Sequence, residues 1–102
     1  MIRKNTENID IDLKELIPGF ISNTELEIKA LEEAVVNNDM ITVNRIGHNI
    51  KGTALNYGFV SLAEIGKGLE RASDVNDVEK VGALLSWFRE YFLTLEIIFE
   101  DV

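Results

Sequence analysis

The chain has 102 residues, 46% of them hydrophobic and 27% charged, with 10 basic and 18 acidic side chains for a net charge of −8. That length and composition fit one small globular domain over 1–102 and exclude a disordered chain. No Cys and a single His exclude a disulfide framework, a zinc ribbon and any metal site that needs two imidazoles from one chain; the acidic balance argues against binding nucleic acid or anionic lipid.

Met1 to Asp12 is mostly polar and never forms the apolar core of a secretory signal, and nowhere does an apolar run of roughly 18 residues offer a membrane span. Together with the missing Cys, this points to the cytoplasm. One Pro in the chain favours helices over loops. Leu13, Leu16, Ile17, Phe20, Ile28, Leu31 and Val35 recur at three- and four-residue steps, the period of a helix with one buried face. Asp12 with Glu15 reads as a capped start. Pro18-Gly19 divides the segment into a short helix and a longer one from about Pro18 to Val36.

Asn37-Asn38-Asp39 is a turn, and Asp39 is the expected N-cap of a helix from about Met40 to Tyr57. That helix buries Val43, Ile46, Ile50, Ala54 and Tyr57. Gly58 is expected in the left-handed conformation that ends it. Ser61 and Glu64 read as a capping box for a third helix, about Val60 to Ala72, whose core side is Leu62, Ile65 and Leu69. A polar turn at Ser73–Asp77 leads to the last helix, about Asp77 to Glu100, with the stripe Val81, Leu84, Leu85, Phe88, Phe92, Leu95 and Ile98/Phe99. The expected fold is all-α: an antiparallel, up-down-up-down four-helix bundle with a short extra N-terminal helical segment and a core over about 12–100.

The one histidine lies on the side of its helix away from the core. At about 100° per residue, Val43, Ile46, Ile50, Ala54 and Tyr57 cluster opposite His48, while Ile41, Asn44, Arg45, Lys51, Gly52 and Leu55 surround it. Gly52, in a helix interior, costs about 1 kcal/mol against Ala, yet faces outward with the imidazole. A missing side chain there lets a bulky partner approach the ring. Lys51 and Arg45 bring positive charge to an otherwise acidic chain. Ile41 and Leu55 supply an apolar rim, the composition of a docking patch.

An exposed neutral imidazole is a nucleophile toward phosphorus, and neighbouring cations stabilise the phosphoryl group it receives. Nothing in the sequence resembles a nucleotide site: there is no GxxxxGK[ST], and Gly66-Lys67-Gly68 falls inside a helical pattern. Such a chain carries phosphoryl groups between partners and is not an enzyme with its own ATP site.

His48-Asn49-Ile50-Lys51-Gly52-Thr53, followed by Gly58, resembles the H-x-[LI]-K-G-[STA]-x4-G motif of histidine-containing phosphotransfer (HPt) domains, the four-helix bundles of two-component phosphorelays. The resemblance runs from about Leu13 to Phe99. It implies that His48 is the phosphoacceptor through Nε2, that Lys51 sits by the phosphate, and that Gly52 clears space for a receiver domain. Gly58 matches the glycine that turns the chain into the next helix. Glu70 matches the carboxylate that orients the imidazole in the P1 domain of chemotaxis kinases, a branch to which the chain is also similar. An i,i+3 pair with Lys67 is the alternative for that side chain. Gly47 departs from the family's usual Ala and puts local helix stability in question.

The resemblance implies a phosphocarrier that takes its group from a receiver aspartate or a histidine kinase and gives it to a receiver aspartate. Ile41, Asn44, Arg45, Gly52, Leu55, Phe59, Lys67 and Arg71 are the expected docking residues. No cofactor is expected in this chain, with Mg²⁺ confined to the partner receiver domain, and a monomer is expected. The Met1 start and compact length lean toward a free-standing carrier. The competing reading is a bundle that docks signalling partners without being phosphorylated; the intact His-x-x-Lys-Gly counts against it.

Overall fold

The computed structural model describes residues 5–101; the first four residues of the polar N-terminal stretch and Val102 lie outside them. A strand β1 (Asn5–Asp10) and a 3-10 segment (Ile11–Leu16) precede helices α1 (Ile17–Val36), α2 (Met40–Tyr57), α3 (Val60–Asp74) and α4 (Val78–Thr94), and strand β2 (Leu95–Glu100) follows. Each helix packs on its neighbour in sequence and α1 also meets α4, so the four helices close into a ring; the α2–α3 contact is the most extensive. Phe20, Leu31, Val43, Ile46, Phe59, Leu69, Val81, Phe88 and Tyr91 fill its centre. The all-α four-helix bundle is the fold of this chain. No helix among the described residues is long and apolar enough to cross a membrane.

Local signals set the helix ends where the chemistry is strongest. Asp39 caps α2, its Oδ1 accepting from the Thr42 N–H at 3.1 Å and its Oδ2 from the Thr42 hydroxyl at 2.6 Å. Those bonds, the hydroxyl's first, hold the Asp39 carboxyl below the ordinary carboxylate value. Gly58 ends α2 with φ of 86°, where a side chain would be strained. The division expected at Pro18 is present: Pro18 occupies the first turn of α1, where its missing N–H is no loss. The segment ahead of it is 3-10, started by Asp10 accepting from the Asp12 N–H rather than by an Asp12–Glu15 pair. Leu16, at its end, is exposed rather than part of the core.

Three expectations are corrected by contacts between distant parts of the chain. The last helix stops at Thr94, and Leu95–Glu100 pairs in parallel with β1, Asn5 opposite Leu95 through Asp10 opposite Glu100. Leu95, Ile97 and Phe99 turn inward on a strand's two-residue period, which leaves Ile98 exposed. The proposed Ser61–Glu64 box is absent, since α3 begins at Phe59 with no side-chain cap of its own. Its amino end is closed by Glu7 of β1, 2% exposed, whose Oε1 accepts from the Ser61 N–H and Oε2 from the Leu62 N–H, both at 3.2 Å. Glu7 Oε2 also accepts the Tyr91 hydroxyl at 2.8 Å, and burial with that bond pushes the phenol pKa well up. Phe59, finally, is fully buried and stacks on Phe20 with centroids 4.5 Å apart, so it belongs to the core and not to a docking face.

Candidate functional site

The site is assembled on two helices. Burial of Val43, Ile46, Ile50 and Ala54 fixes the rotation of α2 and leaves His48 on its outer face, the side chain 67% exposed. The helix beside it is α3, anchored by Leu62, Ile65 and Leu69, and it brings Glu70 up to the imidazole.

Glu70 joins His48 and Lys51 of α2. Its Oε2 lies 2.7 Å from His48 Nδ1, and its Oε1 accepts from Lys51 Nζ at 2.6 Å. The Lys51 bond and then the His48 bond hold the Glu70 carboxyl below the ordinary carboxylate value. An ionised carboxylate has no proton to give, so the neutral ring must carry its hydrogen on Nδ1 and donate it. The lone pair of the neutral imidazole is then on Nε2, the nitrogen Glu70 does not hold. Glu70 is thus committed to α2, and the alternative pair with Lys67 is not formed.

Close approach of the helices makes this geometry attainable. A Cβ on Gly47 would stand 2.7 Å from the Glu70 backbone N and 2.8 Å from the Gly66 carbonyl oxygen; one on Gly66 would stand 2.6 Å from the Lys51 backbone N. Gly47 is therefore a packing requirement of the α2–α3 crossing, not a weak point in the helix. One turn before His48, Asn44 Nδ2 donates toward the Glu70 carbonyl (3.0 Å), Ser73 Oγ (3.1 Å) and Asp74 Oδ1 (2.8 Å). Asn44 is half-buried against α3 and does not stand free on the docking face.

The other flank of His48 is open. Nothing lies within 4 Å of a Cβ built on Gly52. Ile41 (85% exposed) and Leu55 (62%) remain bare, as do Arg45 and Arg71, while Lys67 is half-buried. A groove of about 800 Å³ lies between α1 and α2, with Phe20, Thr24, Arg45, Asn49, Thr53 and Tyr57 among its walls; His48 does not line it. Asn49 and Thr53 enter the sequence reading only as motif positions, not as surface for a partner; the groove exists only once α1 is packed on α2. Among the described residues no group of three or more His, Cys, Asp or Glu side chains could hold a metal ion. What the arrangement offers is an accessible imidazole held at one nitrogen, with one cation and one carboxylate beside it.

The Hpt domain family matches the chain over residues 15–97, from the 3-10 segment into β2. No curated protein and no solved structure matches it.

Proposed function

The chain belongs to the Hpt domain family, carriers of phosphoryl groups in two-component systems rather than catalytic enzymes, and we propose that His48 is the residue that carries the group. The observation that supports this is the 2.7 Å contact between His48 Nδ1 and Glu70 on an otherwise exposed ring. In the step we propose, the Nε2 lone pair attacks the phosphorus of a receiver's aspartyl phosphate. The N–P bond forms as the P–O bond to the aspartate breaks, and the aspartate leaves as a carboxylate. The ring keeps its Nδ1 proton and becomes a phosphoimidazolium, whose positive charge the Glu70 carboxylate offsets. Lys51, bonded to the same carboxylate at 2.6 Å, is close enough to turn toward the phosphoryl oxygens. Return of the group to a receiver aspartate runs the same steps backwards.

Hpt domains work with receiver domains and kinases, and here the partner face is read as Gly52, Ile41, Leu55 and Arg45, the last of which also lines the α1–α2 groove. Any Mg²⁺ is assigned to the receiver, and the reaction to the cytoplasm. The Glu70 carboxylate favours the P1-like branch of the family.

The test is phosphoryl transfer from a panel of phosphorylated receiver domains, with His48→Gln as the control. The expected result is acid-labile, base-stable label on the wild type and none on the variant, both with the same circular dichroism. Label on His48→Gln overturns the assignment. Absence of label from every receiver and from a kinase leaves the chain a docking module.

A further inference from the structure

We propose that Asn44 is a positioning residue, which acts on His48 through Glu70 by clamping the end of α3 to α2. Glu70 reaches the imidazole from near the carboxyl end of α3. Its carboxylate is bonded by Lys51 and His48, both on α2, through side chains that are 31% and 67% exposed. The main chain of residue 70 must therefore be fixed separately, and it lies in the last turns of α3, only four residues from the helix end at Asp74. Helix ends fray, because their last carbonyls lack N–H partners within the helix.

Asn44 adds a polar restraint to the burial of Leu69 and Ala72 that seats this end of α3. Its amide reaches three acceptors of that last turn: the Glu70 carbonyl, Ser73 Oγ and Asp74 Oδ1. Ser73, itself buried, donates its hydroxyl back to the Glu70 carbonyl at 2.9 Å. The carbonyl of the residue that orients the imidazole is thus held twice, once from α2 and once from α3. Asn44 stands one turn before His48 on the same helix, so the clamp and the ring share a rigid frame. Gly47 lies between them in sequence and brings the two backbones into contact at Glu70 N. The Asn44 amide spends its hydrogen bonds on α3 and makes none to the His48 ring, which separates this role from docking.

The inference rests on the reading of His48 as phosphoacceptor only in its kinetic arm; the structural arm is independent of any phosphorylation. In that arm, the ¹⁵N resonances of the His48 ring report which nitrogen carries the hydrogen. In the wild type they are expected to show the Nδ1–H form. Asn44→Ala is expected to move them toward a mixture of the two tautomers. Ser73→Ala, which removes one half of the clamp without removing Asn44, is expected to move them the same way by less, and it carries the test if Asn44→Ala does not fold.

In a Glu70→Gln background, Asn44→Ala is expected to cause no further change in the ring. In the kinetic arm Asn44→Ala is expected to slow transfer roughly tenfold or more, the scale of a displaced reacting group, at unchanged receiver affinity. Ring resonances unchanged by both single variants overturn the inference. So does an undiminished effect of Asn44→Ala without Glu70, or a loss of receiver affinity with the ring unmoved, which would make Asn44 a docking residue.

Discussion

Gly47 on α2 and Gly66 on α3 meet backbone to backbone: a Cβ on either would stand 2.8 Å from the carbonyl oxygen of the other. No side chain separates the helices at this level, and it is here that the 2.7 Å and 2.6 Å bonds from His48 and Lys51 to Glu70 are made. A wider crossing would leave Glu70 beyond the reach of both. The glycines are the reason two residues 22 positions apart act as one site.

Gly47→Ala is expected to destabilise the fold by about 1–3 kcal/mol, because the obstructing atoms are backbone and cannot step aside. Gly52→Ala, with nothing within 4 Å of the new Cβ, is expected to stabilise it by up to about 1 kcal/mol through helix propensity alone. Urea unfolding of the pair checks both signs.

Gly52→Glu fills the open flank of His48 with bulk and negative charge. It is expected to leave the fold and the His48–Glu70 bond intact and to abolish transfer from a receiver. Stopped-flow transfer rates beside a ring spectrum of the same sample measure this, and an unchanged rate would remove Gly52 from the docking face.

Glu70 has a carboxyl pKa held below its ordinary value by Lys51 first and His48 second. A group whose folded pKa is depressed contributes stability that is full above its unfolded value and is lost as pH falls through the folded one. The difference in melting temperature between wild type and Glu70→Gln is therefore expected to be largest near neutrality and to shrink as pH drops below about 4. Calorimetric melts at a series of pH values give that difference directly.

Glu7→Ala leaves the Ser61 and Leu62 N–H groups and the buried Tyr91 hydroxyl without their acceptor. At roughly 1 kcal/mol or more for each orphaned group, the expected loss is about 3 kcal/mol, far above that of an exposed substitution such as His48→Gln. Denaturant midpoints compare the two variants. Hydrogen exchange should locate the loosening at the first turn of α3 and at β1.

How much of this was legible beforehand depends on how far apart the interacting residues lie. The α2 helix was readable to its ends, because Asp39 capping Thr42 and Gly58 at φ of 86° act within a few residues. The outward side of His48 follows from the stripe Val43, Ile46, Ile50 and Ala54. The segment Leu95–Glu100 deceived because LEIIFE fits a helical stripe through Leu95, Ile98 and Phe99 as well as a strand alternating at Leu95, Ile97 and Phe99. Its β-branched and aromatic content was the available signal. β1 was missed for a different reason: its inward positions are Glu7 and Ile9, and a buried carboxylate makes the segment read as polar.

The existence of four helices and the face on which His48 stands are consequences of helical period and local caps, and both could be read from the chain alone. Only the tertiary structure decided which partner Glu70 takes. Around α2, Asn44 and Lys51 fall to one side of His48 by roughly 40–60° and Arg45 and Gly52 to the other. A helical wheel treats the two flanks alike; packing of α3 turns the first into a polar clamp and leaves the second open. Packing likewise buried Phe59, and it carried Glu7 to the head of α3, 54 residues along the chain. Such contacts depend on where whole helices and strands settle against one another, and no periodicity within a single segment encodes that.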